Sequence, residues 1–243
     1  MATYLTLTNL VCKRVNEAVL DSSTFANAAG AHSTIKDAIN AAIREINHQY
    51  PEWPWNRVSR SFTTVAGTSE YTPASDVGNI DWDTFYIERD DSASPAITAA
   101  SLPRMDYTQY AQQVRPNDQQ TTSDGWKKPD FVVRSQSNTV VLSPFPDQEY
   151  TVNYEAWTIP DDLSAYNDLC SIPDKYNHVI VECALRYIYQ FRDNQSARAA
   201  SDVVFKNGLS AMLRIEIHEP VQLRSTMIAR PSGSSWVLPP RWP

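Results

Sequence analysis

Four histidines, three cysteines and two pairs of adjacent aspartates are the residues of this 243-residue chain whose types could support metal binding or acid–base chemistry. His32, His48, His178 and His218 are far apart, and the one suggestive spacing is His178 with Glu182, which a helix would bring to one face. Two ligands do not hold zinc, which needs three or four, so the pair reads as solvated or hydrogen-bonded. Cys12, Cys170 and Cys183 are odd in number and lack metal-site spacing. Cys12 and Cys183 fall on apolar helix faces, as buried reduced thiols do. Asp90–Asp91 and Asp161–Asp162 could be cast as the two carboxyls of a glycosidase, which must flank a scissile bond. Both pairs sit at strand ends among turn formers, where aspartate bonds its own backbone. GxSxG, GxxxxGK and GxGxxG are all missing, so hydrolase and nucleotide chemistry have no visible carrier. The expectation is a protein without metal or cofactor that is not an enzyme, with a cell-wall hydrolase as the more distant alternative.

Aromatic residues offer a second chemistry. Trp82, Phe85, Tyr86, Trp126, Phe131, Tyr150, Tyr154 and Trp157 could form a platform for sugars, but most alternate inward at strand spacing, as core residues do. A β-sandwich that binds carbohydrate or a receptor is therefore the first alternative function. The net charge of -7 gives no basic footprint for tight nucleic-acid binding. Six glycines against sixteen prolines suit stiff loops better than a glycine-rich cofactor fold. The N-terminus lacks the basic and cleavage regions of a signal peptide, and no run of 18 apolar residues would span a membrane. Synthesis in a reducing cytoplasm fits these features.

Two kinds of periodicity must position these residues. Leu7, Leu10, Val11, Val15, Ala18 and Val19 recur at helical spacing over 7–20, with Thr6 as cap. A second helix runs from Thr34, pairs it with Asp37, carries Ile35, Ala38, Ile39, Ala42, Ile43 and Ile46, and ends at Pro51. The period then changes. Residues 57–65, 83–89, 130–135, 139–143 and 150–157 read as strands, with Tyr150, Val152, Tyr154 and Ala156 facing one way in the last. SQSN (135–138) and PFPD (144–147) predict successive antiparallel hairpins, 101–113 a helix from Pro103, and 115–128 an exposed loop. Helical spacing returns from Ser171. Ala200, Val204, Gly208, Ala211 and Ile215 form one stripe of the last helix, flanked by Phe205, Leu209 and Met212. The predicted class is α+β: a four-helix bundle from the N- and C-terminal helices (1–55 and 171–218), an inserted antiparallel β-rich domain (56–170) and an extended C-terminal tail (219–243).

YPEWPWNR (50–57) lies where the helical period stops. Pro51 and Pro54 stiffen the crossing, and Trp53, Pro54 and Trp55 are expected to form a junction, with both indoles wedged between bundle and β domain. The tail has no periodicity yet keeps two tryptophans and several aliphatics, which suits an extended segment that orders on a partner.

The succession TIKDAINAAIREINHQYPEWPWNR, SFTTVAGTSEYTPASDVGNI, VVLSPFPDQEYTVNYEAWTIP and SIPDKYNHVIVECALRYIYQF resembles the head-to-tail adaptors of tailed bacteriophages, especially the tail tubular protein A type of short-tailed phages. The resemblance covers most of 1–217. It implies a virion protein at the head-to-tail interface, with a ring of about twelve copies between the portal protein and the tail nozzle or tube protein. Genomic DNA would pass through without specific binding, which net acidity suits, and no membrane is involved. The extension that grips the portal matches only by position. Arg230, Trp236, Val237, Leu238, Arg241 and Trp242 are the docking residues this implies.

Overall fold

The computed structural model describes residues 1–93, 96–115, 125–135 and 139–217. The tail residues Arg230, Trp236, Val237, Leu238, Arg241 and Trp242, and His218, lie outside the described residues.

The chain is α+β. Helix α1 spans Tyr4–Arg14, earlier than its apolar spacing suggests, because Thr3 caps it by accepting from the Thr6 amide. It stops before Asn16, whose φ of 58° is left-handed and outside helical geometry. Helix α2 spans Ala31–Gln49, begins after Gly30 at φ 62°, and buries the six predicted aliphatic residues. After the sheets, a 3-10 turn at Asp174–Tyr176 leads into α4, Asn177–Phe191, and then α5, Gln195–Glu216. Helices α1, α2 and α4 pack on one another, and α5 packs on α4.

The predicted stripe of α5 does not define its buried face. Ser201, Phe205 and Met212 point inward, while Val204 and Ile215 are exposed. Both sides of this helix are apolar enough to be a core face, and contact with α4 selects one. Gly208 lies at that contact: a Cβ there would come within 2.8 Å of Val179 Cγ2. The close approach explains a glycine in a helix interior.

Among the described residues, eight strands form two four-stranded sheets. They are β1 (Arg57–Thr63), β2 (Glu70–Tyr71), β3 (Val77–Ile87), β4 (Ala100–Ser101), β5 (Arg104–Met105), β6 (Phe131–Arg134), β7 (Val140–Ser143) and β8 (Thr151–Thr158). The sheet orders are β1-β8-β3-β4 and β2-β7-β6-β5. Strand β8 has the predicted alternation, burying Val152, Tyr154 and Ala156. Their partners between the sheets include Trp82, Phe85, Ile87, Val132 and Leu142. Strand β7 is covered on both faces, because Val141 packs with Tyr110 and Val133 behind its sheet.

Three expectations change here. The 144–147 segment is not a hairpin turn: β7 and β8 belong to different sheets, so it carries the chain across the core. Strand β2 pairs with β7. The helix predicted from Pro103 starts later: strand β5 takes Arg104–Met105, and the helical turns run from Tyr107 as α3 (Tyr107–Gln109) and continue as a π turn at Tyr110–Val114. Strand β5 runs parallel to β6, so the β part is not wholly antiparallel. A two-residue strand is too short to show a period.

Candidate functional site

The most elaborated local geometry lies where the helical core meets the sheets. Proline breaks α2, and Pro54 opens a 3-10 turn through Asn56, closed by the Asn56 amide donating to the Trp53 carbonyl at 3.0 Å. The turn folds Trp53 under the end of α2. Its ring is fully buried, stacks on Trp55 at 4.5 Å between centroids and meets Tyr50 edge-on at 5.4 Å. Its Nε1–H donates to the Ile46 carbonyl at 3.0 Å, one of the carbonyls that the end of α2 leaves without a helical partner. Trp55 lies 6.0 Å from Tyr176 and packs on the same helical core. Pro54 is exposed.

Both indoles thus side with the helices, and polar groups carry the contact to the sheets. Buried Asn56 donates to Asn47 at 2.8 Å, Asn79 of β3 donates to Glu52 at 2.9 Å, and Thr158 donates to the Asn56 carbonyl at 3.3 Å. The return crossing is tied to α2: Asn40 donates to the Leu163 carbonyl at 2.9 Å and accepts from its amide at 3.1 Å. Arg44 reaches Asp162 at 3.3 Å. Between the two crossings is a cleft of about 330 Å³, bordered by Asn47, His48, Pro51, Trp157 and Ile159.

A second node lies inside the helices. Arg186 of α4 binds Glu45 of α2 and, at 3.2 Å, Asp202 of α5. Tyr187 and Cys183 also donate to Glu45, at 2.7 and 3.4 Å. Burial alone would raise the Glu45 carboxyl, but hydrogen bonds from Arg186, Tyr187 and Cys183 hold it below its ordinary value. The node fastens three helices.

The sequence-predicted chemistry disperses. Glu182 faces Arg14 at 3.8 Å, and no group of three or more metal-binding side chains occurs among the described residues. Burial pushes the Cys170 thiol up to about 11, and burial with nearby Glu45 and Asp202 raises Cys183 well above the usual thiol range. Neither is an activated nucleophile. Hydrogen bonds from the Ser92 hydroxyl and amide hold the Asp90 carboxyl below its ordinary value, as an Asx turn does. Asp91 pairs with Arg89 at 2.8 Å. Of the aromatic residues proposed for a surface platform, Trp82, Phe85 and Tyr154 are buried, with Phe85 on Tyr154 at 5.0 Å. Tyr86 is exposed on β3.

Sequence reasoning singled out Trp53 and Trp55 but set them between helices and sheets, whereas both pack on the helical core, and it did not name Asn40, Asn56 or Arg186. Arg186 had one available signal, a cation beside the apolar stripe of α4. An asparagine that brackets a distant loop has none.

A family model described as SU10 adaptor protein matches residues 2–230. The chain belongs to the SU10 adaptor protein family. No curated protein matches it. Membership agrees with the resemblance to phage head-to-tail adaptors, and gives the chain the role of a phage structural adaptor whose place is the virion. A structural role also accounts for a joint built from packing and amide hydrogen bonds. No described helix of this SU10 adaptor family member is long and apolar enough to cross a membrane.

Proposed function

We propose that the protein is a head-to-tail adaptor subunit that forms a ring of about twelve copies, joins the portal to the tail nozzle and keeps the DNA channel continuous. Family membership over residues 2–230 carries this reading. In it, helices of 1–55 and 171–218 act as one four-helix bundle, 56–170 as an inserted domain, and 219–243 as an extension that docks on the portal. Trp53, Pro54 and Trp55 act as the rigid junction. The work is mechanical and interfacial, without turnover. Every copy in a closed ring must present the same two surfaces, and the crossings bound at Asn40, Asn56 and Asn79 support one fixed angle between helices and sheets. The charge of -7 suits a lumen along which phosphates must slide.

Electron microscopy of the purified protein mixed with its portal tests the reading. A second ring stacked on the portal is the expected result, and a portal left bare by the full-length protein overturns it. A chain ending at residue 218 should form the same fold and fail to dock. Normal docking by that chain would remove the tail from the mechanism.

A further inference from the structure

Twelve large hydrophobic side chains are exposed among the described residues, and half of them fall on two short segments: Val203, Val204 and Ile215 of α5, and Ile159, Tyr166 and Leu169 of the strap 159–169 that follows β8. Scattered single exposures need no explanation, but grouped ones mark interaction surfaces. Val204 and Ile215 lie with exposed Ala200 and Ala211 along one flank of the helix, beside the Gly208 contact with α4. The strap is fixed to the first two helices: the Tyr4 and Leu5 amides donate to the carbonyls of Asp168 and Tyr166 at 2.9 and 3.1 Å, and Asn40 brackets Leu163. Both surfaces are thus held in place, α5 by its packing on α4 and the strap by its hydrogen bonds to α1 and α2.

Their charges are opposite. The strap contains Asp161, Asp162 and Asp168 and no lysine or arginine. On α5 the two acids nearest the exposed face are already engaged, Asp202 by Arg186 and Lys206, and Glu216 by Lys175. Arg214 has no carboxylate partner and Asp161 no cationic partner among the described residues. We propose that the exposed face of α5 docks on the 159–169 strap of a second copy of this chain. The pairing matches apolar surface with apolar surface and cation with anion. A face meeting itself would close as a dimer and leave the acidic strap unused, whereas two different faces generate a head-to-tail series that can close as a ring. The inference rests on the adaptor reading and names the contact by which copies meet.

Thiol crosslinking of full-length protein tests it. The native cysteines are buried, so introduced thiols report alone. Val204→Cys protein mixed with Tyr166→Cys protein, treated with a short bifunctional thiol reagent, is expected to give a covalent dimer that neither variant gives by itself. Because both sites are exposed, folding should be unaffected, which circular dichroism checks. A dimer formed by Val204→Cys alone would show the face meeting itself and overturn the proposal. So would a mixture without dimer while the wild type sediments as an oligomer, and in that case the adaptor reading stands. A wild type that stays monomeric even with the portal added overturns the adaptor reading itself. Arg214→Glu should weaken association about fivefold, and Asp161→Arg in the same chain should restore it. Lack of rescue counts against the pairing of these faces.

Discussion

In the helical core a charged node sits among the packed faces: Arg186 ties α2, α4 and α5 through Glu45 and Asp202, all three mostly buried. Between the sheets the corresponding place is taken by stacked rings, Trp82 on Phe85 and Phe85 on Tyr154, while ion pairs such as Arg57–Asp81 and Arg60–Asp76 lie toward solvent. The surfaces differ as well. Exposed large hydrophobics of the β part are isolated, as Val65 and Tyr86 are, whereas Val204 and Ile215 of α5 share a face. Ring stacking fills a closed space without directional partners. A charged node fixes the register of helices that are still apolar on their outer side. The sheets bury their rings between them, and the helices leave Val204 and Ile215 of α5 exposed.

The sharpest break in this comparison comes from two matched lesions. Trp53→Ala should cost about 3–5 kcal/mol, and Phe85→Ala a similar amount, because each removes a fully buried ring. Urea unfolding followed by helical circular dichroism and by the near-ultraviolet signal of the sheet aromatics should show each variant moving chiefly its own probe. If both lesions shift both probes equally, the two cores are one cooperative unit.

Charge gives the next test. Arg186→Met leaves the mostly buried Glu45 carboxylate with Tyr187 and Cys183 as its remaining partners and should destabilise by about 3 kcal/mol. Arg60→Met removes a solvent-screened pair and should change stability far less. Equal costs in chemical denaturation would erase the distinction between an inner and an outer ion pair. Gly208→Ala should lose about 1–2 kcal/mol despite the better helix propensity of alanine, since the new methyl meets stiff Val179. Combined with Val179→Ala, the loss should fall short of the sum of the two single changes.

The smallest effect is a titration. Glu45 is held below its ordinary value of 4.5 in the folded state, so its contribution to stability is present above that pH and disappears as the pH falls through its folded value. Stability of the Glu45→Gln protein should therefore decline less steeply with acidification than that of the wild type. Parallel declines would show that the node does not titrate with folding.

What was legible in the sequence follows from how local its cause is. The stripe of α2 and the alternation of β8 were readable because each has one dry face, and a single dry face imposes a period. The buried face of α5 was not, because both candidates are apolar and the choice depends on α4. The 144–147 crossing resembled a hairpin turn because proline and aspartate stop a strand without saying which sheet the next one joins. At the joint, the tryptophans were conspicuous by type, but the asparagines that bind across it act through partners such as Leu163, which is 123 positions from Asn40.

One feature of the sheet ladder reaches further than its hydrogen bonds. Strands β1 and β8 pair at Arg57 and Trp157, so the chain leaves the helices and returns to them at adjacent points. For the helices, everything between is a loop whose ends already touch, and closure entropy grows only slowly with the length of such a loop. The β part can therefore lengthen, shrink or be exchanged at little entropic cost to the helices, and a tight turn set between Asn56 and Thr158 should let them fold alone.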